Sequence, residues 1–154
     1  MWGAVNFGKW TDKGKTLPQI LVSDPDWFFW AVENSAFKSK ALATQAETLR
    51  RRTTSIKIPA NHAPNDRVQY WFTPDGKFAR IDLIRSTQPA HVGSSSDLRR
   101  SDLNMALPRT IKGYDKLGYR HLLANFKYYW FDKKPFTKAR VEAFFSDTSN
   151  FNNP

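Results

Sequence analysis

Cysteine is absent from the 154 residues, which excludes disulfide bonds, cysteine-held zinc and a thiol nucleophile together. Acidic residues are scarce beside basic ones, 14 Asp and Glu against 24 Lys and Arg, so the formal net charge is +10. Such a surface projects a positive potential, and nucleic acid is the leading class of partner. No stretch approaches the ~20 apolar residues that cross a bilayer, and no basic N-terminal segment leads into an apolar run. No membrane partner is expected. The helices that can be read look like core elements rather than one long basic amphipathic helix.

What the chain has instead is aromatic residues, 15% of the total with six Trp. That is more than one core of this size needs, so some rings are expected at the surface beside the cations. Cations for phosphates and rings for bases are the equipment of single-strand binders.

The fold class expected is α+β: an N-terminal strand with small helices, a central antiparallel hairpin, and C-terminal helices. Ala4-Val5-Asn6-Phe7 reads as a strand stopped by Gly8, with a loop to Lys15. Thr16-Leu17-Pro18-Gln19 is a capping-box sequence opening a short helix to about Val22. Asp24-Pro25 repeats the start signal for a helix bearing Trp27, Phe28 and Trp30, the last expected in the core. A third helix is expected from Ala36 to about Thr53, with Leu42, Ala46 and Leu49 as its stripe and Arg50-Arg51-Arg52 at its end.

Phe7-Gly8-Lys9-Trp10, Gly14-Lys15-Thr16-Leu17, Ile20, Asp24-Pro25, Trp27, Phe28 and Trp30 together carry a resemblance. Residues 4–53 resemble the small domain at the C-terminus of exonuclease-X-type DNA exonucleases, also found in small stand-alone proteins. Thr11-Asp12 stand as an insertion relative to that pattern, and the exonuclease catalytic domain is not part of the match. The resemblance implies an accessory module that contacts nucleic acid and favours DNA over RNA. With no leader-like or bilayer-spanning segment read, the place expected for it is the cytoplasm of a bacterial or phage-infected cell. Independently of it, Gly8 and Gly14 permit close backbone approach beside Lys9, Lys13 and Lys15, as a phosphate-binding loop requires. Gly14-Lys15-Thr16 is not a nucleotide-hydrolysis loop, because the earlier glycine lies six positions back instead of five.

The chain is divided into a basic module at 1–57, a Pro- and Asn-rich joint at 58–65, a lobe at 66–148 packed with the first, and a disordered tail at 149–154. Arg67–Thr73 and Lys77–Arg85 are strands around Pro74-Asp75-Gly76. If Asp75-Gly76 form the turn, Thr73 pairs with Phe78 and the register runs back from there. Val68, Tyr70, Phe72, Ala79, Ile81 and Leu83 then share a core face, and Arg67, Gln69, Trp71, Arg80 and Asp82 the other. Arg80 opposite Trp71 makes a platform on which a base could stack. Gln88 to Ser96 reads as a loop, Asp97–Leu107 as a short helix with Arg99 and Arg100, and Asp115–Phe131 as the clearest helix. A last helix follows Phe136-Thr137.

For catalysis the sequence offers little. Asp66, Asp75-Gly76-Lys77 and Asp82 imitate a metal-nuclease pattern, but Asp-Gly has a sufficient role in the turn. His62, His91 and His121 are not spaced as acid–base partners. The expectation is a non-catalytic nucleic-acid binder without cofactor or metal. Its interface comprises Lys9, Trp10, Lys13, Lys15, Arg50, Arg51, Arg52, Arg67, Trp71, Arg80, Arg99 and Arg100. The alternatives are a small nuclease or ribonuclease toxin, and a phage-type inhibitor docking on an acidic host protein.

Overall fold

The computed structural model describes residues 1–154 and begins differently from the expected strand. Only Ala4 forms a bridge, with Thr16, and the Val5 amide donates to the Lys15 carbonyl at 2.9 Å. Gly8 turns the chain at φ +58 into a 3₁₀ turn, Gly8–Trp10. A lone bridge holds this loop because its two sides are too short to add a further rung.

Helix α1, Leu17–Ser23, starts where Gln19 Oε1 accepts from the Thr16 amide at 3.0 Å. In α2, Pro25–Glu33, Asp24 accepts from the Trp27 amide at 3.1 Å. Apolar side chains occupy most of α2, and one ring must face outward: Trp30 is 46% exposed, against the expectation of a core position. Helix α3, Lys40–Thr53, starts later than expected because Ser39 supplies the cap, accepting from the Leu42 amide at 3.3 Å.

Strands β2, Arg67–Phe72, and β3, Phe78–Ile84, keep the expected register from Arg67↔Ile84 to Trp71↔Arg80. It slips at Phe72, which pairs with Phe78, because Thr73 and Lys77 close the turn. The segment expected as a helix from Asp97 contains β4, Ser96–Arg100, which pairs along the free edge of β2, followed by β5, Asp102–Leu103. The sheet order is β3-β2-β4, all antiparallel. Leu98 opposite Tyr70 and the backbone ladder satisfy more groups than an isolated turn of helix would. Pro108, expected to end a helix, sits instead in the first turn of α4, Leu107–Lys112, where its missing donor costs nothing.

Helix α5, Lys116–Trp130, packs on β3, and Asn125 Oδ1 accepts from the Ile81 amide at 2.9 Å. Its cap, Asp115, occupies the space where any side chain at Gly118 would stand: a Cβ there would lie 2.3 Å from Asp115 Oδ2. Helix α6, Lys138–Ser146, is capped by Thr137.

The two halves share one buried cluster running from Trp2 to Phe151. They are also stitched by β1, Ile56–Lys57, which pairs with β5. The expected disordered tail is tied down. Phe151 is 2% exposed and stacks on Phe145, and the Asn152 amide donates to the Ser55 carbonyl at 2.8 Å.

Candidate nucleic-acid interface

The twelve residues expected to form a basic face are dispersed by the fold, and several are occupied. Trp10 is 7% exposed, packed edge-on against Trp27 and roofed by Lys9 and Lys13, so it offers no open ring for a base. Arg52 is likewise buried, donating to the Phe145 carbonyl at 2.7 Å with its guanidinium near the Trp2 and Phe151 rings. Its position three residues after Leu49 puts it on the apolar stripe of α3, a signal that the flanking arginines hide. Lys9 pairs with Asp24, and Arg50 with Glu47. Arg51 reaches the Pro154 carbonyl at 3.4 Å.

The hairpin platform is covered by the chain itself. Trp71 donates to Asp82 at 2.9 Å, lies 5.1 Å beneath Arg80, and meets the His91 ring edge-on at 4.6 Å. Arg80 is also paired with Asp82. Arg99 holds the covering loop by donating to the carbonyls of Gln88 and Pro89, both at 2.7 Å, and it binds Asp97. The Gln69 amide also donates to Asp97, and these contacts hold its carboxyl below the usual range. Arg67 donates to the carbonyls of Asn65 and Asp66 and so braces the joint. Lys13, Lys15 and Arg100 are exposed, without a carboxylate partner.

The fold builds an aromatic cleft elsewhere, between the 58–65 joint and the end of α5. It has a volume of about 980 Å³ and is lined by Lys57, His62, Tyr128, Tyr129, Trp130 and Lys133 among others. Trp130 donates to the Lys57 carbonyl at 2.8 Å, and Tyr129 to Asp82 at 3.3 Å. Burial, and then the Asp82 charge, pushes the Tyr129 hydroxyl above its ordinary pKa. Those two rings are thereby fixed, while Tyr128 stands 53% exposed with the Lys133 ammonium 4.8 Å from its centre. Neither Lys57 nor Lys133 has a carboxylate partner. At the rim, Asp132 and Lys133 adopt the left-handed region, φ +52 and +64, as the chain leaves α5, and the Lys133 amide donates to the Lys127 carbonyl at 3.1 Å.

In the sequence Tyr128–Phe131 reads only as the end of a helix, because the cleft's other wall comes from a segment some seventy positions away. Lys133-Lys134 just after four consecutive rings, Tyr128 to Phe131, is the local signal that could have marked it.

The carboxylates of the nuclease pattern are kept apart. Asp66 faces His62, Asp75 sits in the turn with Lys77, and Asp82 serves Trp71 and Arg80. No group of three His, Asp or Glu side chains is placed to hold a metal ion. No helix is long and apolar enough to cross a membrane. No family model, curated protein or solved structure matches the chain, so the likeness of residues 4–53 to the exonuclease-associated domain stands on its residues alone.

Proposed function

We propose that this protein is a non-catalytic nucleic-acid-binding protein that holds a single strand, DNA in preference to RNA, in the cleft at the end of α5. The observation that carries this reading is the coincidence, in one cleft, of an exposed Tyr128, fixed Tyr129 and Trp130 rings, and the unpaired cations Lys57 and Lys133. Every base has a face that can stack on Tyr128, so the expected selectivity is for unstacked strands rather than for sequence. Lys13, Lys15 and Arg100 add to the positive field that draws the strand in. The preference for DNA rests on the resemblance of residues 4–53.

Fluorescence anisotropy of labelled single-stranded and duplex DNA and RNA, at two salt concentrations with magnesium present, tests it. Tighter binding of single-stranded DNA with the probe intact on a gel is expected. Tyr128→Ala should weaken that binding by about 1–3 kcal/mol. Lys57→Ala with Lys133→Ala should flatten the salt dependence by about 0.7 log units for each lost contact. Binding unchanged in the Tyr128 variant removes the cleft from the interface, and cleavage of the probe replaces this reading with a nuclease.

A further inference from the structure

A second cavity, of about 480 Å³, opens where the N-terminal loop meets the starts of α2 and α5. Its size is that of a small-ligand site. Lys116 and Arg120 line it from α5, one turn apart on the same side, and neither has a carboxylate partner. Locally this arrangement is unfavourable. Like charges four positions apart repel, and Lys116 stands in the first turn of the helix, where the dipole is already positive. An anion between the two side chains reverses the sign of both effects.

The wall contains a second, independent irregularity. Trp10 and Tyr119, 7% and 2% exposed, line the same cavity, and the indole N–H of one and the hydroxyl of the other have no hydrogen-bond partner. Burial, followed by the nearby Asp26 charge, pushes the Tyr119 pKa far above its ordinary value, so the group stays protonated. Unmatched buried polar groups of this kind are rare, and both are covered atoms of the wall beneath the cavity. Two carboxylates also line the cavity, but both are matched: Asp24 by Lys9, and Asp26 by Arg109 and the Asp115 amide. Tyr114, 66% exposed, stands in the lining with an open ring face.

We propose that this cavity binds a nucleoside monophosphate group, with its phosphate on Lys116 and Arg120 and its base against Tyr114. The group could arrive as a free nucleotide or as the phosphorylated end of a strand. Only the second source rests on the nucleic-acid reading above.

Calorimetric titration of the whole chain with dAMP and with deoxyadenosine tests the cavity. We expect dAMP to bind with one-to-one stoichiometry and the nucleoside not to bind. Lys116→Ala with Arg120→Ala should weaken dAMP by about a hundredfold, since two charge-assisted contacts are lost and each is worth about a factor of ten. The thermal midpoint of that variant should hold or rise, because both side chains are exposed and repel each other. The source is then read from a short oligonucleotide with and without a 5′-phosphate. Phosphate-dependent tightening, lost in the double variant, identifies a strand end, and equal binding of the two oligonucleotides identifies the free nucleotide. Absence of dAMP binding at about 10 mM, or equal binding by the double variant, overturns the proposal even if strands still bind the Tyr128 cleft.

Discussion

Arg109 is the substitution whose cost can best be worked from the structure. Its guanidinium donates to Asp26 Oδ1 at 3.2 Å, to the Asp26 carbonyl at 3.3 Å, and to Glu33 at 3.2 and 2.9 Å, tying α4 to α2. The Glu33 arm is 55% exposed on the acid's side and contributes little. The Asp26 arm differs, because that side chain is 7% exposed. Arg109→Met leaves its carboxylate buried with only the Asp115 amide as partner, and breaking a buried pair in this way costs about 3–5 kcal/mol. The retained amide places the expected loss near the lower figure, about 3 kcal/mol, or roughly 6–12 °C in the thermal midpoint for a chain of this size.

The pH dependence has a definite sign. Burial already pushes the Asp26 carboxyl above the usual range, against the pull of the Asp115 amide and Arg109. Removing Arg109 moves it further up, so the folded state binds more protons than the unfolded one over the window above the ordinary aspartate pKa. The variant should therefore lose stability as pH rises through that window and regain part of it on acidification. Urea denaturation at several pH values measures both effects. Adding Asp26→Asn to Arg109→Met should restore at least half of the loss. A loss below about 1 kcal/mol, or no rescue by the second substitution, would refute the reasoning about the buried pair.

Three further outcomes follow from the packing. Gly118→Ala, which would stabilise an ordinary helix interior by about 0.5–1 kcal/mol, should instead destabilise α5, because the new methyl displaces the Asp115 cap; a rise in the thermal midpoint would contradict it. Phe151→Ala should cost about 3–5 kcal/mol in urea denaturation, as for other fully buried rings, and a neutral effect would mean that the chain end is not part of the core. Asp97, held below the usual carboxylate range by Gln69 and Arg99, contributes stability above the ordinary aspartate pKa that is lost as pH falls through its lowered value; thermal melts from pH 5 downward should show this loss in the parent and not in Asp97→Asn.

The parts of the fold that short-range chemistry determines are legible in the sequence. Thr16 with Gln19, Asp24 with Pro25, and the Asp75-Gly76 turn each commit a few neighbouring residues, and the register from Arg67 to Trp71 is the one a two-residue turn predicts, recovered past the irregularity at Phe72. The stripe of Tyr119, Leu122 and Phe126 does the same for α5. Strand β4 was not legible, because Ser96–Arg100 has no strand pattern of its own and is strand only by virtue of the β2 edge. The site failed for a related reason. Glycines and lysines around Trp10 suggest a solvated loop, yet the same lysines roof a buried ring. The Trp71–Arg80 pair was correctly opposed, but the loop that brings His91 onto it carries no local mark of doing so.

Arg52 has one more consequence. Its guanidinium lies 5.9 Å from the ring centres of both Trp2 and Phe151, so a single cation joins the first and last rings of the core. On a ribosome, the helices near Trp2 must wait for the chain to emerge as far as Phe151 before their interior can close. Until then their apolar surface is available to chaperones and to other copies. The same closeness makes the chain a good subject for circular permutation, with new ends opened in the exposed 92–94 segment and the old ones joined by a short linker.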